Sequence, residues 1–89
     1  MQKSLKSAEY AHFIKLLVAA RKDAGLRQDA VAKALRKPQS FVAKYEGGER
    51  RIDVVEFVQI AEALGADPVK LFRAFLAARP SLRAAKSKS

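Results

Sequence analysis

Eighty-nine residues with a formal net charge of +9, 49% apolar residues and no cysteine describe one small domain with a helical core and no separate catalytic lobe. The composition excludes disulfides, thiolate metal sites and wholesale disorder. The longest apolar stretch, FIKLLVAA, is broken by Lys15 and is too short to span a bilayer, and the first ten residues lack the apolar segment of a secretory signal. A cytoplasmic protein with no membrane role is expected.

The charge is segregated. Residues 1–25 carry +3, residues 26–51 +4, residues 52–68 −4 and residues 69–89 +6. A merely solvated surface mixes its signs, so this distribution points to a polyanionic partner.

In chain order, residues 1–7 are expected to be a flexible basic segment, with helix 1 beginning at Ser7 or Ala8. Phe13, Leu17 and Ala20 share one helical face, which Tyr10 and Ile14 extend, and Gly25 stops the helix. Helix 2 is expected over Gln28 to Leu35, with Val31, Ala32 and Leu35 inward and Asp29 at the positive end of the helix dipole. Pro38 then opens helix 3, Gln39 to Glu46, which buries Val42 and Tyr45 before Gly47-Gly48 ends it. Helix 4 is expected from an Asp53 cap to Leu64, with Val54, Phe57, Val58, Ala61 and Leu64 as its apolar stripe. Asp67-Pro68 starts helix 5, which carries Leu71, Phe72, Phe75 and Leu76 and stops before Pro80. Residues 79–89 read as a basic disordered tail. No strand pattern of period two and no internal repeat occur.

Helices 2 and 3 are each about two turns long, too short to stand alone in water, so packing must hold them. With Val31, Leu35, Val42 and Tyr45 inward, the outer face of helix 3 consists of Gln39, Ser40, Ala43 and Lys44, with Phe41 on its flank. Gln and Ser offer hydrogen bonds to base edges, Lys reaches guanine acceptors or phosphate, and the Phe41 ring suits a thymine methyl or a sugar. A helix-turn-helix that projects one helix into the major groove of double-stranded DNA follows. Arg27, Gln28, Lys37, Arg50 and Arg51 flank helix 3 and are expected on phosphates.

From Leu26 to Phe72 the chain resembles the Cro/C1-type (XRE-like) helix-turn-helix family. The matching residues are Leu26, Gln28, Val31-Ala32, Leu35, Ser40, Val42, Glu46, Gly48, Arg50-Arg51, Val54, Ala61, Leu64-Gly65 and Leu71-Phe72. The resemblance implies an all-α, compact five-helix, lambda-repressor-like domain over residues 8–78. It implies that Gln28 binds a phosphate and that Gln39, Ser40 and Lys44 read bases. It also implies an ion pair between Arg21 and Glu46 that orients Arg21 toward a phosphate. Two positions depart from the family: Arg27 stands where Ser or Thr caps helix 2, and Arg36 where the turn has glycine. A non-glycine residue in that left-handed position costs on the order of 1 kcal/mol.

Catalysis finds no support. His12 is the only histidine, and no second His, Cys or paired-carboxylate arrangement completes a metal site or an acid/base pair with it. Gly47-Gly48 follows no strand and precedes no GK[ST], so it is a helix stop rather than a phosphate loop. The leading expectation is therefore a non-enzymatic transcriptional regulator without cofactor or metal, a repressor acting as a homodimer on a palindromic operator. Phe75 and Leu76, one turn beyond the last core positions of helix 5, are its expected dimer contact. The alternative is an antitoxin or other protein-interaction module whose partner is a toxin. A binder driven by charge alone fits less well, because helix 3 presents a polar, non-repetitive face.

Overall fold

The computed structural model describes residues 7–78 as five helices: α1 (Ala8–Asp23), α2 (Gln28–Leu35), α3 (Gln39–Glu46), α4 (Val54–Ala63) and α5 (Pro68–Ala78). No strand occurs among the described residues. Of the basic segments expected at 1–7 and 79–89, residues 1–6 and 79–89 lie outside them.

Local chemistry explains most boundaries. The Ser7 hydroxyl accepts a hydrogen bond from the Tyr10 amide at 3.0 Å and opens α1, so this residue caps a helix rather than belonging to a flexible lead. Asp53 and Glu56 form a reciprocal capping box on α4. The Asp53 carboxylate accepts from the Glu56 amide at 2.7 Å, and the Glu56 carboxylate accepts from the Asp53 amide at 2.9 Å. Asp67 caps α5 through the Val69 amide at 2.8 Å. Arg27, the residue before α2, makes no side-chain cap. Arg36 takes φ 60°, ψ 42° between α2 and α3, the left-handed conformation that glycine adopts without strain.

The core gathers Leu17, Val31, Val42, Tyr45 and Ile60, each buried to within 2% of completely, with Tyr10, Ile14, Ala32, Phe57 and Leu64 around them. α2 and α3 pack on each other, α1 backs α3, and α4 backs α2. Tyr10 pins the loop before α4, its hydroxyl accepting from the Ile52 amide at 3.2 Å.

Three expectations about packing need correction. The buried stripe of α4 is Phe57, Ile60, Ala61 and Leu64, whereas Val54 is 71% exposed and Val58 38% exposed. At about 100° per residue, Val54 and Val58 lie roughly 70° and 110° from the centre of that stripe, and Ile60 takes the inward place instead. On α5, Leu71 packs against the core while Phe72 remains 45% exposed. Phe75, expected at a subunit contact, is half-buried within the domain. Its ring stands edge-on to Phe13 at 5.5 Å and stacks on His12 at 6.0 Å. His12 Nε2 is buried there with no hydrogen-bond partner among the described residues.

Candidate nucleic-acid interface

The outer face of α3 is set from beneath. Val42 and Tyr45 on α3 are completely buried, and burial pushes the Tyr45 hydroxyl pKa well above its ordinary value. Anchoring those two residues turns Gln39, Ser40, Ala43 and Lys44 outward, and all four are exposed. Phe41 stays half-buried on the flank, its ring edge-on to Tyr45 at 5.5 Å. It therefore packs as part of the domain while its remaining surface borders the polar face.

A chain of side chains joins this face to α1. The Arg21 guanidinium donates to Glu46 from Nε at 2.7 Å and from Nη2 at 3.0 Å, and from Nη1 to the Leu26 carbonyl at 2.9 Å. The two side chains are only 12% and 8% exposed. The Glu46 hydrogen bond holds the Arg21 pKa above its ordinary value. Glu46 Oε1 also accepts from Gln28 Nε2 at 2.9 Å, and Gln28 Oε1 lies 3.4 Å from Gln39 Nε2. Arg21 thus stands behind the surface, with donors directed at Glu46 and Leu26. The residues that reach the surface along this chain are Gln28 and Gln39.

The flanking cations are placed unequally. Arg27 is exposed and touches Asp29 at 3.2 Å. Lys37 Nζ lies 5.4 Å from the centre of the Phe41 ring, and the Arg50 guanidinium lies 4.8 Å from it. Arg50 also grips Glu56 with two parallel hydrogen bonds, Nη1 to Oε1 at 3.0 Å and Nη2 to Oε2 at 2.9 Å. Arg51 stacks on a different ring. Its guanidinium sits 4.2 Å over the Tyr10 ring, beside an open apolar groove of about 350 Å³ lined by Phe13, Val54, Phe57, Phe72 and Phe75. Among the described residues no cluster of three or more His, Cys, Asp or Glu could hold a metal ion, and no helix is long and apolar enough to cross a membrane.

Residues 13–74 match a family model described as a helix-turn-helix domain. An XRE-family-like protein from Pseudomonas syringae pv. tomato shares 42% identity over 82% of this chain and 89% of its own, with a TM-score of 0.78. The chain belongs to the XRE-like helix-turn-helix family. The restriction-modification controller protein C.AhdI from Aeromonas hydrophila is also similar, at 29% identity over 73% of this chain and 98% of that one, with a TM-score of 0.66. The clp gene regulator ClgR from C. glutamicum, at 18% identity and a TM-score of 0.70, covers 81% of this chain and 94% of that one and shares the fold. No curated protein sequence matches the chain.

Within this XRE-like domain, sequence reasoning missed the Gln28–Glu46 bond, the Arg50–Glu56 fork and the cations on Phe41. One signal was legible: Asp53 and Glu56 have the capping-box spacing. Nothing in the spacing marks Arg50, six positions before Glu56 and across a loop, as the partner of that carboxylate.

Proposed function

We propose that this XRE-like protein is a sequence-specific double-stranded DNA-binding regulator of transcription, a repressor that acts as a homodimer on a palindromic operator. The observation that carries the reading is the outer face of α3. Gln39, Ser40 and Lys44 stand exposed over the buried pair Val42 and Tyr45, with Gln28 bonded to Gln39 and the cations Lys37 and Arg50 on the Phe41 ring. In this reading Gln39, Ser40 and Lys44 select bases, and Gln28, Arg27, Lys37 and Arg50 hold phosphates. Arg21 acts through Glu46 by holding Gln28. Arg51 reaches the backbone from the rim of the groove, and Phe41 supports the cations beside it. Occupancy of a promoter by such a dimer excludes polymerase, which makes repression the simplest mode.

Selection of binding sites from random duplex DNA tests the reading directly. A two-fold symmetric consensus is expected, with half-sites about one DNA turn apart. Lys44→Ala should then weaken binding to the selected site by about 1–3 kcal/mol and relax preference at one position. Equal loss on selected and random DNA would make Lys44 a phosphate contact, and no enrichment at all would sink the reading.

For the dimer, the exposed apolar residues of α5 are Val69, Phe72 and Leu76, at helical spacings of three and four, with Val54 of α4 beside Phe72 in the groove. This reading retains Leu76 and takes Phe72 in place of Phe75. Sedimentation of the wild type and of a Phe72→Glu/Leu76→Glu variant should show a dimer and a folded monomer. The same stripe suits the alternative, an antitoxin-like module that covers a protein partner. A monomeric wild type on its operator would favour that alternative.

A further inference from the structure

We propose that Glu56 is a positioning residue for DNA-backbone recognition: it grips one edge of the Arg50 guanidinium so that the opposite edge is presented to a phosphate. The inference rests on the DNA-binding reading above and adds a role on α4, outside the helix-turn-helix unit.

An arginine side chain has five N–H donors in a planar fork. In Arg50, one Nη1 hydrogen meets Glu56 Oε1 and the other the Arg51 carbonyl at 2.9 Å, while one Nη2 hydrogen meets Glu56 Oε2. The two remaining donors, on Nε and Nη2, lie side by side along a single edge. That is the geometry by which arginine takes two oxygens of a phosphate at once. The Arg50 side chain as a whole is 44% exposed.

The plane of this guanidinium is held from two directions. Phe41 covers it at 4.8 Å, and Phe41 belongs to the recognition helix. Glu56 in turn is held by the α4 cap, its Oε1 accepting from the Asp53 amide. Together α3 and the first turn of α4 set where the free edge lies relative to Gln39, Ser40 and Lys44. An arginine ordered before binding loses less side-chain entropy when it meets its phosphate.

Simple charge counting gives the opposite sign. A carboxylate beside a DNA-binding surface repels phosphate, so its removal should tighten binding. Positioning says that removal weakens it.

The test measures binding of the selected operator duplex across a salt series for the wild type, Glu56→Ala, Arg50→Ala and the double variant, at a temperature where circular dichroism shows each folded. Should Glu56→Ala not fold, Glu56→Gln keeps an acceptor for the cap and enters the same cycle. Glu56→Ala should weaken binding about three- to tenfold, and it should flatten the salt slope toward the loss of about one unit expected for Arg50→Ala. The double variant should bind no more weakly than Arg50→Ala alone. Unchanged or tighter binding by the Glu56 variant overturns the proposal, as does the same fold-loss in the Arg50→Ala background. Side-chain NMR of the free protein separates this failure from failure of the DNA reading. Rotation of the Arg50 guanidinium should be slow in the wild type and fast in Glu56→Ala, whatever duplex the protein binds. Fast rotation in the wild type overturns the clamp itself.

Discussion

Two bidentate arginine–glutamate forks with similar hydrogen-bond lengths sit in very different surroundings. Arg21 and Glu46 meet at 2.7 and 3.0 Å with side chains 12% and 8% exposed, and Glu46 links α1 to α2 as well as closing α3. Arg50 and Glu56 meet at 2.9 and 3.0 Å with side chains 44% and 19% exposed, and they bridge only a loop and the first turn of α4. Bond length therefore does not distinguish their strength, and burial does. Removing one partner of the inner fork strands a charge away from water, whereas the partners of the outer fork rehydrate and are screened by salt. The inner fork ties α3 to α1 and α2, and in the proposed reading the outer fork serves a contact with DNA.

The largest effect expected from this contrast is on stability. Glu46→Ala should cost about 2–3 kcal/mol, somewhat below the range for wholly interior pairs because both groups keep some solvent contact. For a domain of this size that lowers Tm by about 10–20 °C in a thermal melt. Glu56→Ala should lower Tm far less, and 1 M salt should remove most of the difference attributable to its ion pair. Equal losses at the two sites would erase the distinction.

A smaller effect separates stability from positioning. Replacing the inner fork outright, with Arg21→Met/Glu46→Leu, should leave stability within about 1 kcal/mol of the wild type, since an apolar pair of similar volume replaces two desolvated charges. Operator affinity should nonetheless fall, because Gln28 loses the carboxylate that holds it. A variant that melts normally and binds normally would show that Glu46 has no part in placing Gln28.

The smallest effect is a titration. The Arg50 hydrogen bond, aided by that of the Asp53 amide, holds the Glu56 carboxyl below its ordinary value. A depressed folded-state pKa contributes stability that is present above the unfolded value of about 4.3 and is lost as pH falls through the lower folded value. The contribution of the outer fork should therefore be intact at neutral pH and disappear only in acid. Carboxyl NMR should find the Glu56 midpoint below the ordinary range, and Arg50→Ala should move it upward. An unmoved midpoint would break the assignment of its cause.

Much of this protein was legible in the residues alone, because its elements are specified locally. Apolar positions at helical spacing, the Asp53 and Asp67 caps, Gly25 as a stop and Pro38 as an opener place five helices where they occur. Burial of Val31, Val42 and Tyr45 follows from the shortness of α2 and α3, and it decides which face of α3 points outward. Tertiary structure alone decided the phase of α4 and the neighbours of every charge. Val54 and Val58 are as apolar as Ile60, and only the space left by the other helices selects Ile60 for the core. Phe75 found Phe13 and His12 because α5 folds back onto α1. The bonds of Glu46 span 25 and 18 positions, and Arg50 reaches Glu56 across a turn whose course no local rule specifies. Periodicity records which side of a helix avoids water, whereas the partner of a charge depends on where separate helices meet.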